Sequence, residues 1–378
     1  MNSVFSRGQH WLSKPLEALI GSADPIARLG LRTINKRFRL ESAIAGGKSS
    51  KTFFGKDLEQ GDLVVIKLLM FPRSDLESAL FQNEIHTLHH FDDIQPRITP
   101  RIIASGELYE GDIMYLVTEK VEGRTLERYL QDDLSFLNLN GKLELFHRVA
   151  SCVAHCLGPG WNHRDLHPGN VLLLEQTPIW LGPSLYSQPD PKTVLLDWGQ
   201  SYCDLFARFD DAPPFIETLH GCYFKSFTAS LYSSPPEIFS EPEYQHRTIG
   251  LYDSWSLGLI LHRILTGKNC FEFRSLGDYA QSLANKNIHT LIDSAASQIL
   301  RQGNEHSFLL SQLFRRLACV DAAQRLHAGS AARVLWDLTI EGWRPASEAE
   351  AIMYIADPHS FVPEGGWKYS RLSEIDEG

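Results

Sequence analysis

The chain lacks most of what would mark a specialised class. It has six cysteines in 378 residues. That is too few for a disulfide scaffold, so a reducing, cytoplasmic setting is expected. It has no uninterrupted apolar run approaching 18 residues, and no transmembrane helix is predicted. The N-terminus lacks the apolar core of a signal peptide, because Gln9, His10, Ser13, Lys14 and Glu17 interrupt it. Basic excess is also missing. The 36 Lys and Arg stand against 46 Asp and Glu, a net charge of −10, which argues against a nucleic-acid binder. There is no repeat and no low-complexity tract. The 27 Gly and 19 Pro sit near background, so neither long disorder nor a fibrous repeat is implied.

What is there is ordinary in bulk and uneven in detail. Apolar residues make up 43% and charged residues 22%, as in a globular protein of about two domains. Residues 1–40 carry seven basic and two acidic residues, a net of +5, which leaves −15 for the rest. Residues 1–36 read as a basic helical extension. One short helix starts near Ser13 and Pro15, with Leu12, Leu16, Leu19 and Ile20 at helical spacing. A second starts at Asp24-Pro25, with Arg28, Arg32 and Lys36 on one stripe. Two readings stand side by side: an extension packed on the main body, and a pair that docks on a membrane surface or a partner.

From residue 37 the pattern changes. Strands are predicted over 37–44, 52–55, 62–69 and 113–118, with a turn at 46–50 and a helix over 75–91. After 123 the chain is mostly helical. Helices are predicted over 142–157, 253–266, 277–285, 289–302, 307–318 and 328–338. A strand-and-loop patch fills 163–200, with an irregular loop at 177–192 marked by Gly182, Pro183, Pro189 and Pro191.

The most informative run is His163-Arg164-Asp165-Leu166-His167-Pro168-Gly169-Asn170. Its four fixed positions, H-R-D-x-x-x-x-N, arise by chance on the order of 0.002 times in a chain of this length. It stands in an ordered series. Val64-Val65-Ile66-Lys67 lies upstream, and Asp197-Trp198-Gly199 follows the apolar Val194-Leu195-Leu196. Pro235-Pro236-Glu237, Asp253-Ser254-Trp255-Ser256-Leu257-Gly258 and Arg325 come after.

These residues, in this order, resemble a Hanks-type (eukaryotic-like) serine/threonine protein kinase over about residues 37–340. The His-Pro-Gly-Asn variant leans towards a bacterial or phage form. The resemblance implies an α+β, two-lobed protein-kinase-like fold, with a β-rich N-lobe at 37–120 and a mostly helical C-lobe at 121–340. An acidic C-terminal tail at 341–378 would follow. It implies ATP in the cleft between the lobes, Mg²⁺ (or Mn²⁺) as the metal, and a protein substrate.

Phosphoryl transfer needs positioning and charge neutralisation more than covalent help. By resemblance Asp165 orients the acceptor hydroxyl, and Asn170 and Asp197 give oxygen ligands to the metal. Lys67 holds the α- and β-phosphates, and Glu84, 17 residues on, is its expected carboxylate partner. The glycine loop is degenerate. Ala45, Gly47 and Ser50 fall on the three Gly positions and Thr52 on the Val, with Gly46 and Lys48 between them. Val65, Leu172 and the hinge residues Glu119 and Val121 are expected at the nucleotide, behind a Thr118 gatekeeper.

His167 departs from the usual Lys and is expected to be a weaker phosphate contact. Asp-x-His-Pro-x-Asn also occurs in aminoglycoside-type phosphotransferases. A small-molecule or lipid-sugar kinase therefore stays open, as does a partner-binding pseudokinase. Trp198 should stack on His163 and Leu88, anchored through Asp253, and Arg325 should pair with Glu237. Arg164 gives a cationic partner for a phosphate on Thr218, Ser226, Thr228, Ser230, Ser233 or Ser234. Cys152 and Cys156 read as core, and Cys203 with Cys222 as a conceivable redox pair. His86, His89 and His90 read as a helix surface.

Overall fold

The structure is a computed structural model that describes residues 30–46, 50–94, 97–174, 193–203, 215–216, 218–219 and 233–363. Residues 1–29 of the leader, Gly47, Lys48, Cys222 and the 177–192 loop lie outside the described residues. So do Ser226, Thr228 and Ser230. The chain divides into two compact units, one made of residues up to Ser78 with Arg101–Lys120, the other of Ala79–Pro100 with Val121 onward.

The first unit is a six-stranded sheet. Its strands are β1 (Thr33–Ile34), β2 (Phe38–Gly46), β3 (Ser50–Asp57), β4 (Leu63–Met70), β5 (Ile102–Leu108) and β6 (Ile113–Glu119). They lie in the order β1-β2-β3-β4-β6-β5, and every neighbouring pair is antiparallel. Alternation decides the faces. Val64, Ile66 and Leu68 are fully buried and join Phe38, Phe53, Ile113, Tyr115 and Val117 in one core. Val65 and Lys67 point the other way, because successive side chains on a strand alternate.

Two departures from expectation fall here. Residues 33–39 form a hairpin where a helix reaching Lys36 was expected. Thr33 and Ile34 are β-branched and pair with Arg39 and Phe38, and Asn35 and Lys36 turn the chain at φ +49° and +59°. The turn is fastened by the Arg37 guanidinium on buried Asp57 at 2.7 Å. Strand β5 went unforeseen, because Ser105 and Gly106 dilute its apolar pattern.

The long helix α1 (Asp75–Asp92) begins in the first unit, and from Ala79 it counts with the second. The second unit continues with β7 (Gly123–Thr125), α2 (Leu126–Asp132), α3 (Leu139–Leu157), β8 (Trp161–Asn162), β9 (Val171–Leu174), β10 (Thr193–Leu195) and β11 (Tyr202–Cys203). Its helical part holds α4 (Pro242–Arg247), α5 (Tyr252–Thr266), α6 (Leu276–Ala284), α7 (Asn287–Leu300), α8 (Ser307–Leu317), α9 (Ala328–Thr339) and α10 (Glu348–Ala356).

Helix α3 packs on α9 and α5, and α8 packs on α5, α7 and α10. Trp161, Trp198 and Trp255 are the largest fully buried side chains. Helix α10 was not foreseen inside an acidic tail. Ser347 caps it, and Tyr354 donates to the buried Asp337 carboxylate at 2.6 Å, which Arg333 also contacts. Among the described residues, no helix is long and apolar enough to cross a membrane.

Candidate active site

The His163–Asn170 run follows β8 and leads straight into β9. Its backbone is bent hard, and Arg164 sits in the left-handed region at φ +62°. A non-glycine residue there stores strain and must be held from outside. Asp253, at the start of α5, does the holding. Its carboxylate accepts from the His163 N–H at 2.6 Å and the Arg164 N–H at 2.9 Å. Burial dominates its environment and pushes its pKa up to about 6, against the pull of those two donors. The Arg164 guanidinium lies 5.1 Å over the Tyr252 ring.

His163 ties the loop to the next strand. Its Nε2 donates to the Leu196 carbonyl at 2.9 Å, and its Nδ1 faces the Asp165 N–H at 3.3 Å. This pattern needs the neutral imidazole with the proton on Nε2. Burial enforces it and pushes the ring down to about 4. Asn170 closes the loop from its other end, where its amide Nδ2 donates to the Asp165 carbonyl at 2.9 Å. The Leu196 N–H then donates to the Asn170 carbonyl at 2.9 Å. Asp165 and Asn170 are thus fixed on one loop, and the strand leading to Asp197 is bonded to that loop. Asp197 is exposed and left-handed, at φ +60°.

The donor set suits a hard divalent cation. Asn170 and Asp197 present amide and carboxylate oxygens. Mg²⁺ takes such ligands one or two at a time and keeps its waters. Among the described residues, no cluster of three or more His, Cys, Asp or Glu is arranged to hold a metal, so no richer protein cage competes.

Farther along, Arg325 and Glu237 form the expected pair. Arg325 Nη1 and Nη2 each donate to a Glu237 carboxylate oxygen at 2.6 Å, and both side chains are buried. The model of the protein kinase domain matches residues 38–336.

The chain belongs to the protein kinase family.

Among similar proteins, this kinase is 25% identical over 254 residues to the serine/threonine-protein kinase pkn3 of Myxococcus xanthus. That alignment covers 66% of this chain and 41% of the relative. It is 22% identical over 247 residues to sperm motility kinase 2A of Mus musculus, covering 65% and 41%. It is 28% identical over 145 residues to the serine/threonine-protein kinase PrkC of Bacillus subtilis, covering 38% and 21%. The chain therefore spans well under half the length of these relatives.

The other expected residues of the kinase distribute as follows. In the first unit, Lys67 pairs across the sheet with Thr52 and Leu116, and Val65 sits opposite Thr118. The Glu119 carboxylate accepts from the Arg101 N–H at 2.8 Å. Ala45 and Gly46 end β2, beyond a register shift, and Ser50 opens β3. In the second unit, Glu84 and Leu172 are buried. Val121 falls at the beginning of that unit's second stretch.

His167 uses Nδ1 to accept from the Gly169 N–H at 3.1 Å. In the neutral ring that leaves the proton on Nε2. Trp198 meets His163 at 4.6 Å between ring centres. Phe91 of α1 also meets Trp198, at 5.0 Å between ring centres, and Leu88 is buried on the same helix.

One expectation is corrected. Ser233 and Ser234 are only 5% and 1% exposed. That burial leaves neither hydroxyl an accessible phosphoacceptor in this fold, and their backbone carbonyls accept from the Ser256 and Tyr279 hydroxyls. Of the three helix histidines, His89 and His90 are exposed, as expected of a helix surface, and His86 is half-buried. His86 meets Phe215 edge-on, and the His90 ring lies 5.1 Å from that of Trp161. Cys203 is buried, as are Cys152 and Cys156.

Sequence reasoning missed Asn83, Thr87 and Ser201, three buried polar residues beside the Asp197 segment. The one signal was the helical spacing of Asn83 and Thr87 on the stripe with Leu80 and Phe91.

Proposed function

We propose that this kinase transfers the γ-phosphate of ATP to serine or threonine hydroxyls of protein substrates. The observation that carries the reading is the hydrogen-bonded loop cluster of Asp165, Asn170 and the strand before Asp197, with Asp253 fixing its backbone.

Asp165 accepts the hydroxyl proton, or orients it, as the acceptor oxygen bonds to the γ-phosphorus and the bond from that phosphorus to the β–γ bridging oxygen breaks, releasing ADP. Asn170 and Asp197 hold Mg²⁺, with Mn²⁺ as a substitute of similar ligand demand. When bound, the metal neutralises phosphate charge. Asn170 keeps its amide N–H on the Asp165 carbonyl, which leaves its oxygen for the cation.

Lys67 contacts the phosphates, and Glu84 is the carboxylate expected to steady it. Residues of β2 and β3 from Ala45 to Thr52 cover the phosphates, and Val65, Glu119, Val121 and Leu172 take the adenine. His167 adds a neutral N–H donor at Nε2, and Arg164 supplies buried positive charge beside the loop. The Glu237–Arg325 pair supports a protein-substrate platform, because it anchors the segment that follows the metal site.

The test is γ-³²P transfer from ATP and Mg²⁺ to generic protein acceptors, with Asp165→Ala as blank. Label on protein that vanishes in the blank supports the reading. Label on aminoglycosides or lipid sugars alone favours a small-molecule kinase. Retained ATP binding with no transfer at all favours a pseudokinase.

A further inference from the structure

One face of α1 is polar where it should be apolar. Leu80, Asn83, Thr87 and Phe91 are spaced by three, four and four residues, so they form one stripe. The whole stripe meets the segment just after Asp197.

At Leu80, the backbone carbonyl comes so near Gly199 that an added Cβ would lie 3.2 Å from it. At Asn83, the side-chain Nδ2 donates to the Gly199 carbonyl at 3.1 Å and the Ser201 carbonyl at 2.8 Å. It also reaches the Ser201 hydroxyl at 3.1 Å. At Thr87, the hydroxyl meets the Ser201 hydroxyl at 2.9 Å. At Phe91, the ring packs on Trp198 at 5.0 Å. Asn83, Thr87 and Ser201 are all no more than 1% exposed. Glu84 is the very next residue on the helix, and it too is buried.

We propose that Asn83, with Thr87 and Ser201, locks the helix bearing Glu84 to the turn that follows Asp197, so that the two move as one body. The inference rests on the functional reading given for Glu84 and Asp197. Asn83 is a positioning residue that acts through Glu84.

The physical reason is the cost of parting. If α1 swung away, two backbone carbonyls and two hydroxyls would lose their partners together in a buried place. An apolar contact at the same stripe would tolerate sliding, whereas a side chain that bonds the carbonyls of Gly199 and Ser201 together fixes both register and distance. The contact between α1 and the turn after Asp197 is thus made by side chains of α1 itself, and it should persist without a phosphate on the activation segment.

The experiment is a double-mutant cycle on the full chain. Asn83→Ala is made in the wild-type and Glu84→Gln backgrounds, with Thr87→Val as a milder second variant. Steady-state kcat and KM for ATP are measured after phosphatase treatment, beside backbone hydrogen exchange over 79–92 and 198–203.

The lock predicts that treated wild type stays active. It predicts that Asn83→Ala lowers kcat about tenfold or more with Glu84 present, and less than about twofold with Glu84→Gln. It predicts faster exchange in both segments together, in Asn83→Ala and to a smaller degree in Thr87→Val. An equal fold-loss in both backgrounds, unchanged kcat in Asn83→Ala, or faster exchange in one segment alone overturns it. If wild type transfers no phosphate, the functional reading falls, and the exchange data still decide the lock.

Discussion

Removing Arg325 should cost the kinase more than any other single change outside its loop cluster. The side chain is fully buried and makes two 2.6 Å bonds to Glu237. It also donates to the carbonyls of Cys319 at 2.8 Å, Leu251 at 3.2 Å and Val320 at 3.4 Å, and its guanidinium lies 5.3 Å over the Trp255 ring.

Arg325→Met strands a buried carboxylate, a loss of about 3–5 kcal/mol. At about 2–4 °C per kcal/mol for a unit of this size, the melting midpoint falls by roughly 10 °C. Glu237→Leu strands the guanidinium and costs a similar amount. The double variant removes both charges and leaves only the three carbonyls short of a donor, about 1 kcal/mol each. It should therefore be more stable than either single variant.

Urea and thermal unfolding of the four proteins, followed by tryptophan fluorescence, measure the cycle. If Arg325→Met shifts the midpoint by less than about 3 °C, or if the double variant is as unstable as the two singles added, the reasoning is refuted.

Other consequences can be checked as directly. Burial pushes His147 down to about 4, so below pH 6.5 the unfolded chain takes this proton first. Its contribution is complete above pH 6.5 and is lost as pH falls towards 4, by about 3 kcal/mol in all. His163 has the same sign, whereas Asp253, pushed up to about 6, contributes most at low pH and loses that as pH rises through 6. The difference between wild type and His147→Phe in urea midpoints at pH 7, 6 and 5 isolates the first effect, and a flat difference refutes it. Gly55→Ala would set a Cβ 2.6 Å from the Arg39 carbonyl. It should destabilise the first unit by about 1–3 kcal/mol, seen as faster hydrogen exchange in β2–β4. Gly199→Ala pushes on the Leu80 carbonyl. It should lower kcat about tenfold with a folded far-UV spectrum unchanged.

The loop cluster was legible in the sequence because its residues sit at fixed spacing in one short run. Asp253 and the Glu237–Arg325 pair were legible because each belongs to an ordered motif. The strip of α1 that meets Ser201 was not. A buried Asn or Thr on a helix looks like surface until its partner segment is known, and that segment lies more than a hundred residues away. Phe91 was not singled out beside Leu88 because both lie on the buried face of α1, and only packing shows that its ring meets Trp198. The hairpin at Thr33 hid behind a basic stripe that reads equally well as helix. Helix α10 hid because acidic composition signals a solvated tail, while its buried positions are few: Ala351, Tyr354 and Ile355.

Asp337 lies one residue beyond the end of the family match, fully buried, with Tyr354 from α10 on its carboxylate. The frontier of resemblance and the frontier of cooperative folding are therefore different places. A chain cut at 340 would keep every motif of the kinase and lose the hydroxyl that satisfies this acid. Such a fragment should look complete by its motifs and behave as a weakened protein, its last helix fraying from the end that α10 had closed.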